Sequence, residues 1–170
     1  MLNQYSNELL NTQKKRLLFC FGEGGHASQA SRLFIAMKPN LKDIEIVTIG
    51  DFHEKPFWSD VHFYYPPLRD KAQGYTLSGL LKAAGEIWSI SRVICSASTQ
   101  GIISTGPGFC TAICLIGRLC FKKTIHIETW SRFDTQSLTG KINYLICNKF
   151  YIQNKEQLKF YKNAKYCGLL

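Results

Sequence analysis

The sequence contains no apolar run long enough to cross a bilayer. Its longest such run, residues 109–117, is ended by Arg118 and falls well short of the roughly 20 residues that a spanning helix needs. The start of the chain, residues 1–16, also lacks the apolar core of a secretory signal peptide. We therefore expect neither a secretory leader nor a spanning helix.

Cysteine pairs of the Cys-x-x-Cys type are missing too, although the chain has 7 cysteines. One helical turn separates Cys110 from Cys114, but no second pair of ligands has metal-binding spacing. Several cysteines lie inside apolar runs, which predicts the buried, reduced thiols of a cytosolic protein at Cys20, Cys95, Cys114, Cys120 and Cys147. We expect core cysteines and no metal site.

Acidic residues are scarce, with 12 Asp and Glu against 21 Lys and Arg, which gives a formal net charge of +9. This balance favours an anionic partner such as nucleic acid, lipid headgroups or a phosphorylated ligand. No RNA-binding signature, zinc site or helix-turn-helix pattern supports a nucleic-acid-binding module. With 170 residues, 45% of them hydrophobic, the chain is long and apolar enough for one folded domain.

Apolar runs that fit strands alternate with longer stretches of helical periodicity. The pattern predicts strands over residues 17–21, 44–49, 61–65, 101–104, 124–128, 149–152 and 165–167. It predicts helices over 28–37, 77–97 and 107–119, a short helix over 155–161, and a loop or short helix over 138–145. Such alternation is typical of a parallel sheet with helices on both faces. We predict one Rossmann-like α/β domain over residues 17–170, preceded by an amphipathic, basic segment at residues 1–16.

The first predicted strand leads into a turn that contains Gly22, Gly24 and Gly25. Ser28 is then positioned to cap the following helix. A strand, a glycine-rich turn and a helix N-terminus form an anion site, because free N–H groups point outwards and the helix dipole favours negative charge. His26 lies at the mouth of this site, either as a proton acceptor for a ligand hydroxyl or as a turn residue bonded to backbone.

Two further polar segments follow later strands. A second glycine-rich turn contains Thr105, Gly106, Pro107 and Gly108, in which Pro107 suits the first position of the next helix. Glu128 ends the fifth strand, and Arg132 follows it. Ligands of parallel sheets bind beyond the carboxyl ends of the strands, so the three segments predict a site at that edge. Glu128 suits sugar hydroxyls or a turn cap, and Arg132 suits phosphate or a surface ion pair.

A dinucleotide site is a rival hypothesis. Gly22, Gly24 and Ala27 satisfy the G-x-G-x-x-A fingerprint, and Asp51 follows at a strand end where a ribose-binding acid lies. This reading predicts a Rossmann oxidoreductase-type protein, although no second domain is present to hold a hydride acceptor. In the simplest alternative, the glycines only form a tight turn.

Five motifs, in this order, resemble those of one protein family. They are Gly24-Gly25-His26, Ser104-Thr105-Gly106-Pro107-Gly108, Ile127-Glu128-Thr129-Trp130-Ser131-Arg132, Ser137-Leu138-Thr139-Gly140-Lys141, and an ending with Gln153-Asn154-x-Glu156-x-Leu158 and Tyr166-Cys167-Gly168-Leu169-Leu170. The chain resembles the PssD-like polysaccharide biosynthesis proteins of bacteria. These are relatives of the membrane-anchor subunit of the eukaryotic transferase that adds the second GlcNAc to dolichol diphosphate GlcNAc. More distantly, the glycine motifs resemble the N-terminal half of MurG-type enzymes.

The resemblance implies the N-terminal, acceptor-side half of a GT-B glycosyltransferase. A separate small chain would bind the UDP-sugar, and neither chain would be a full enzyme alone. The acceptor would be a polyprenyl-diphosphate-linked sugar in capsule, exopolysaccharide or oligosaccharide synthesis. The acceptor-side chain would recruit its partner to the cytoplasmic face of the membrane, and the resemblance implies no cofactor.

The resemblance also assigns residues. The catalytic residues would be His26, as the base that deprotonates the acceptor hydroxyl, and Glu128, which would line the same cleft. The acceptor diphosphate would be held by Gly24, Gly25, Ser28, Thr105, Gly106, Gly108 and Arg132. The eukaryotic relatives have an N-terminal spanning helix for which this sequence shows no counterpart, so we expect peripheral membrane contact. Candidates for that contact are residues 2–16, the aromatic stretch at residues 57–65, and basic residues such as Lys71 and Lys82.

Overall fold

The computed structural model describes residues 14–65 and 77–170, with side chains described outside residues 77–83. This part of the chain contains helices α1 (Gly25–Met37), α2 (Leu77–Cys95), α3 (Phe109–Leu119) and α4 (Leu138–Ile146). Its strands are β1 (Lys15–Cys20), β2 (Ile44–Gly50), β3 (Val61–Tyr64), β4 (Thr99–Ser104), β5 (Lys123–Ile127), β6 (Lys149–Ile152) and β7 (Lys165–Tyr166). Short 3₁₀ helices span Lys38–Asn40 and Lys155–Lys159.

All seven strands belong to one parallel sheet, in the order β3-β2-β1-β4-β5-β6-β7. The predicted Rossmann-like α/β fold is therefore confirmed. Strand β1 lies inside the sheet between β2 and β4, and its residues Leu18, Phe19 and Cys20 are fully buried. The strand order reverses between β1 and β4, and this reversal opens a crevice at the carboxyl edge of the sheet.

The two faces of the sheet have different cores. On one face, α1 packs over an aromatic cluster that includes Phe19, Phe34 and Trp58. On the other face, α2 and α3 pack over a cluster of aliphatic side chains and thiols, which includes Ile102 and Cys110. Helix α4 lies beside α3 on this second face. Helices cover both faces of the sheet, as predicted.

Two helix starts differ from the prediction. Helix α1 begins at Gly25, so Ser28 lies inside its first turn, where its Oγ donates to the Gly24 carbonyl at 3.3 Å. The prediction that Ser28 caps this helix is wrong, because Gly24 occupies the N-cap position. Its φ is 66°, a value that residues with a side chain rarely adopt. Helix α3 begins at Phe109, so Pro107 precedes the helix instead of occupying its first position.

The prediction of reduced thiols is wrong for two of the cysteines. Cys95 and Cys120 form a disulfide that joins the end of α2 to the residue after α3. Cys95 ends α2 at the surface, and the chain leaving α3 returns beside it, a proximity that local apolar patterning does not reveal. Cys20, Cys110 and Cys114 are free and buried, as expected. Burial raises the pKa of the Cys20 and Cys110 thiols, so both stay protonated core groups.

The aromatic stretch at residues 57–65 is mostly core and not membrane surface. Trp58 is 9% exposed, whereas its neighbour Phe57 is 87% exposed. The Trp58 ring stacks on Phe34 at a centroid distance of 4.9 Å and meets the edge of Phe19 at 5.2 Å. Phe63 and Tyr65 are buried on the opposite face of the sheet. The prediction that this whole stretch contacts a membrane is therefore wrong.

Other candidates for membrane contact lie outside the described residues. These are residues 2–13, Lys71 and the side chain of Lys82. Arg16, which the prediction placed in the basic segment, lies in β1 and is fully buried, with its Nε donating to Glu45 at 2.5 Å. Among the described residues, no helix is both long and apolar enough to cross a membrane.

The aromatic core under α1 predicts a contrast between two adjacent residues. Trp58→Ala removes a ring that contacts Phe19, Phe21 and Phe34, so we expect the free energy of unfolding to fall by about 3–5 kcal/mol. Phe57→Ala removes an exposed ring and should change it by less than about 0.5 kcal/mol. Urea unfolding of both variants measures the difference, and equal losses would contradict this core assignment.

Candidate active site

Three chain segments meet at the carboxyl edge of the sheet, as predicted, and they enclose a cleft of about 290 Å³. The first segment contributes His26, from the start of α1, and the second contributes Pro107 and Gly108. The third runs from the end of β5 into α4. The remaining lining residues are Glu128, Thr129, Ser131, Arg132, Ser137 and Thr139. This cleft lies beside the reversal in strand order, where open α/β sheets bind their ligands.

The two glycine-rich turns pack directly against each other. A Cβ on Gly22 would lie 2.9 Å from the Pro107 ring. A Cβ on Gly106 would lie 2.7 Å from the Phe21 Cα and 2.6 Å from the Cys110 sulfur. Neither position has room for a side chain, so both glycines are required for the contact between the turns. In contrast, nothing lies within 4 Å of such an atom at Gly24, Gly25 or Gly108.

Two hydrogen bonds between His26 and Thr105 join the two turns, and a third connects Thr105 to strand β1. The Thr105 carbonyl lies 2.5 Å from His26 Nδ1, and the Thr105 hydroxyl donates to the His26 carbonyl at 3.2 Å. The Thr105 N–H donates to the Cys20 carbonyl at 3.2 Å. Because a carbonyl only accepts, Nδ1 carries the proton, and Nε2 is the basic atom of the neutral ring. This tautomer suits a proton acceptor.

Glu128 is buried, with 2% of its surface exposed, and its carboxylate accepts from three donors. The donors are the Thr129 N–H at 3.0 Å, the Ser137 hydroxyl at 3.1 Å and the Tyr161 hydroxyl at 2.9 Å. Burial and the neighbouring Glu128 charge raise the pKa of Tyr161 well above its usual value, so the phenol remains a donor. A carboxylate held on this many sides orients the wall of the cleft and is poorly placed to exchange protons with a ligand.

The wall that carries Arg132 is fixed through its backbone. Asn154 donates from Nδ2 to the carbonyls of Trp130 and Arg132, at 2.8 Å each. The Arg132 guanidinium is exposed and donates to the Thr135 hydroxyl at 3.1 Å. Arg132 is therefore a cation at the rim of the cleft, on a loop whose main chain is held by two hydrogen bonds from Asn154. Trp130 is exposed beside it.

A second histidine lies beneath the cleft. His126, in β5, is buried, with Nδ1 3.0 Å from Ser104 Oγ and 3.0 Å from Asn143 Nδ2. Burial, and to a smaller extent the charge of His26, lowers the pKa of His126 from 6.5 to about 3, so this ring is neutral at physiological pH. His126 thereby connects β4, β5 and α4 below the site.

Three helix N-termini surround the cleft, which also contains the buried Glu128 carboxylate. Helices α1, α3 and α4 begin beside it, and none of them has an acidic residue in its first turn. The Ser137 side chain caps α4 by accepting the Gly140 N–H at 2.7 Å. Three positive helix ends together with Arg132 make this a place for an anion.

The structure separates the predicted site residues into two groups. Four of them line the cleft: His26, Gly108, Glu128 and Arg132. Thr105 and Gly106 are buried in the contact between the turns, Gly24 and Ser28 face other clefts, and Gly25 lies at the exposed start of α1. Sequence reasoning assigned no role to Thr129, Ser131, Ser137, Thr139 or Tyr161. A run of hydroxyl residues around a glutamate was the available signal for the first four.

One of the glycines that suggested a dinucleotide site has a packing role. Gly22 is required by its contact with Pro107. A Cβ on Gly22 would also lie 3.4 Å from a carboxylate oxygen of Asp51. A larger, open cleft of about 630 Å³ lies on the other side of α1 and includes Ser28, Arg32 and Trp58. That cleft contains neither His26 nor the second glycine-rich turn, so the site predicted from the motifs is the smaller one.

The Glu128 network leads to a test with two glycines. A Cβ at Gly140 would overlap the Glu128 carboxylate, so we expect Gly140→Ala to lower the free energy of unfolding by about 1–3 kcal/mol. Gly85→Ala is the matched control, because it lies in helix α2 with nothing within 4 Å. The control should be neutral or stabilising by up to about 1 kcal/mol. Urea unfolding compares the two, and equal effects would contradict the packing around Glu128.

Comparison with known proteins identifies the family. Residues 17–170 match the family described as "Oligosaccharide biosynthesis protein Alg14 like". The UDP-N-acetylglucosamine transferase subunit alg14 of Schizosaccharomyces pombe is 26% identical, over 92% of this chain and 84% of that protein. The subunit ALG14 of Rattus norvegicus is 24% identical, over 96% of this chain and 86% of its own length.

A solved structure supports the same fold. MurG from Acinetobacter baumannii superposes with a TM-score of 0.58 at 12% identity, covering 82% of this chain and 41% of MurG. At this identity the likeness shows the fold alone, and it confirms the predicted resemblance to one half of a GT-B glycosyltransferase. The match over nearly the whole described domain shows that this chain is a member of the Alg14-like family of oligosaccharide biosynthesis proteins.

Proposed function

We propose that this chain is the acceptor-binding subunit of a two-chain transferase that moves N-acetylglucosamine from UDP to a lipid-diphosphate-linked sugar. The observation that carries the proposal is the cleft in which a basic His26 Nε2 faces a site for an anion. Relatives over most of the chain are named UDP-N-acetylglucosamine transferase subunits. The donor sugar is carried over from those names.

Different parts of the cleft would bind the diphosphate and accept the proton. The diphosphate of the acceptor would lie against the starts of α1, α3 and α4, with Arg132 at the rim and the open backbone of Gly24, Gly25 and Gly108 nearby. The acceptor hydroxyl would attack the anomeric carbon of the UDP-sugar. His26 Nε2 would take the hydroxyl proton as the new glycosidic bond forms, and UDP would leave as the anomeric carbon–oxygen bond breaks.

Glu128 has a positioning role in this scheme. Its three hydrogen bonds leave it fixed between Thr129, Ser137 and Tyr161. The carboxylate thereby holds the start of α4 and the Arg132 loop at a set distance from His26. This differs from the direct catalytic role that the sequence suggested for Glu128, and it follows the geometry of the buried network.

In the proposed function, this domain forms one side of the active site and a second chain forms the other. Relatives that match most of this chain are named transferase subunits, so we place the donor-binding half in a separate protein. An apolar cleft of about 240 Å³ lies between α1 and strands β4 to β6, and α1 is the helix that covers this face among the described residues. Apolar side chains dominate its lining: Leu33, Met37, Ile103, Ile125, Ile127, Tyr151, Cys167 and Leu170. We assign this cleft to the donor-side partner.

The setting follows from the acceptor. A lipid-linked sugar keeps the enzyme at a membrane, and use of a UDP-sugar suits the cytoplasmic face. The net charge of +9 favours an anionic membrane surface. The product would enter polysaccharide or oligosaccharide synthesis.

The role of His26 is tested in the assembled two-chain enzyme. His26→Ala removes the proton acceptor, so we expect kcat for GlcNAc transfer to fall by about 10²–10⁴-fold. His26→Gln can still donate to the Thr105 carbonyl but cannot accept the proton, and it should lose as much. Transfer from labelled UDP-GlcNAc to a lipid-diphosphate sugar measures both variants.

The control for this test is His53→Ala, which changes an exposed histidine outside the cleft. The association of the two chains should be unchanged in every variant. Near-normal turnover by His26→Gln would show that His26 only holds the turns together, and it would remove the base assignment.

The partner cleft is tested by placing charge inside and outside it on the same helix. Leu33→Arg introduces a cation into the apolar cleft, so we expect the Kd for the donor-side chain to rise at least tenfold, about 1.4 kcal/mol. Ile35→Arg is the matched control, on the exposed side of α1 and outside the cleft lining. Calorimetric titration measures both, and equal weakening would contradict this location for the interface.

A further inference from the structure

Two adjacent helices present apolar stripes to solvent. On α4, Leu138, Ile142 and Leu145 are exposed at helical spacing, and on α3 Leu115 and Leu119 are exposed one turn apart. Leu119 is 71% exposed and Leu145 is 82% exposed. The two helices pack against each other on the same face of the sheet, so the two stripes lie on neighbouring helices. Exposed apolar patches are characteristic of interaction sites.

Phe121 extends this surface beyond the end of α3. Its ring is 95% exposed, and its backbone has a φ of 58°, a conformation unusual for an aromatic residue. The preceding residue, Cys120, is tied to α2 through the disulfide with Cys95. The aromatic ring is therefore held outwards on a fixed turn, where it has no packing partner among the described core clusters.

The charges around the apolar surface have one sign. The sequence has no acidic residue over residues 99–127, nor over 135–155. The same segments contain four exposed cations, which are Arg118, Lys123, Lys141 and Lys149. Apolar side chains at the centre with cations around them complement an anionic lipid bilayer, since leucine and phenylalanine enter the interface while lysine and arginine meet the headgroups.

The surface also reaches the cleft. Leu138 is 74% exposed and follows Ser137, which lines the cleft and caps α4. Pro107 and Gly108, at the start of α3, line the same cleft. A helix with its side chains is about 10–12 Å across, so a bilayer under α3 and α4 would lie about that far below the cleft. A diphosphate at the helix starts is then within reach of its own lipid in that bilayer.

We infer that the outer faces of α3 and α4, with Phe121, form a monotopic docking surface for an anionic lipid bilayer. The proposed function explains why this chain would dock on a membrane, and the inference rests on it in that respect. The docking itself is tested separately, because lipid binding is measured without sugar transfer. A protein partner is the less favoured occupant, since it would have to be both apolar and acidic. Neither α3 nor α4 contains an acidic residue that could supply an anion for a mixed-charge interface.

Vesicle binding by the full chain tests the surface. Leu119→Asp/Leu145→Asp should lower partitioning onto phosphatidylcholine–phosphatidylglycerol vesicles at least tenfold. The matched control is Ile35→Asp/Leu169→Asp, which makes the same charge change at exposed residues away from α3 and α4 and should lose much less. Arg118→Gln/Lys141→Gln should weaken binding about fivefold for each cation on these vesicles, but not on phosphatidylcholine alone.

Three results would overturn the inference. They are wild-type protein that does not bind the mixed vesicles, a Leu119/Leu145 variant that binds as well as wild type, and equal losses in the control pair. Loss of partner association in the Leu119/Leu145 variant, without vesicle binding by wild type, would make this face a protein interface. The His26 variants should bind vesicles normally, so failure of the transferase proposal and failure of this one are distinguishable.

Discussion

A carboxylate buried at the end of β5 holds one whole side of the cleft in place. Glu128 cannot be left uncompensated in the interior, because a buried charge without partners costs several kcal/mol. Its partners come from three places in the chain: the next residue, the cap of α4, and Tyr161 beyond β6. Its carbonyl also accepts from Gln153 at 2.9 Å. One residue thus fixes the register of α4, β6 and the Arg132 loop, and Gly140 is the residue that allows α4 to approach so closely.

The opposite side of the cleft is built without charge. The turns after β1 and β4 touch through Gly22 and Gly106, and the His26–Thr105 hydrogen bonds join them. This wall is held by close backbone contacts at two glycines and by hydrogen bonds to carbonyls, whereas the Glu128 wall is held by hydrogen bonds to a carboxylate. The division has a chemical consequence. This wall presents the His26 ring with Nδ1 bound to the Thr105 carbonyl, while the Glu128 network remains on the other wall.

Much of the fold follows from the sequence because apolar runs report burial on both sides of a strand. The strands and helices of the described residues fall where the pattern places them, apart from shifts at their ends and helix α4, which the pattern predicts as a loop or short helix. The site was predicted less well, since a motif gives the position of a residue in the chain but not the direction of its side chain. Thr105 and Gly106 belong to the motif but are used in packing, and Ser28 faces away from His26. The Glu128–Tyr161 hydrogen bond and the Cys95–Cys120 disulfide span 33 and 25 residues, separations that local patterns do not encode.

The two uncovered apolar surfaces lie on opposite faces of the sheet, and this arrangement has a consequence for assembly. The cleft over β4 to β6 opens on the α1 face, and the stripes of α3 and α4 lie on the other. A partner chain and a bilayer would therefore not compete for the same residues. The candidate cleft lies at the edge where the two faces meet, beside the starts of α1, α3 and α4. Under the proposed function, a lipid-linked acceptor from the membrane side and a donor sugar held by the partner would reach His26 from different directions. One face of the sheet would then serve the bilayer and the other the partner chain.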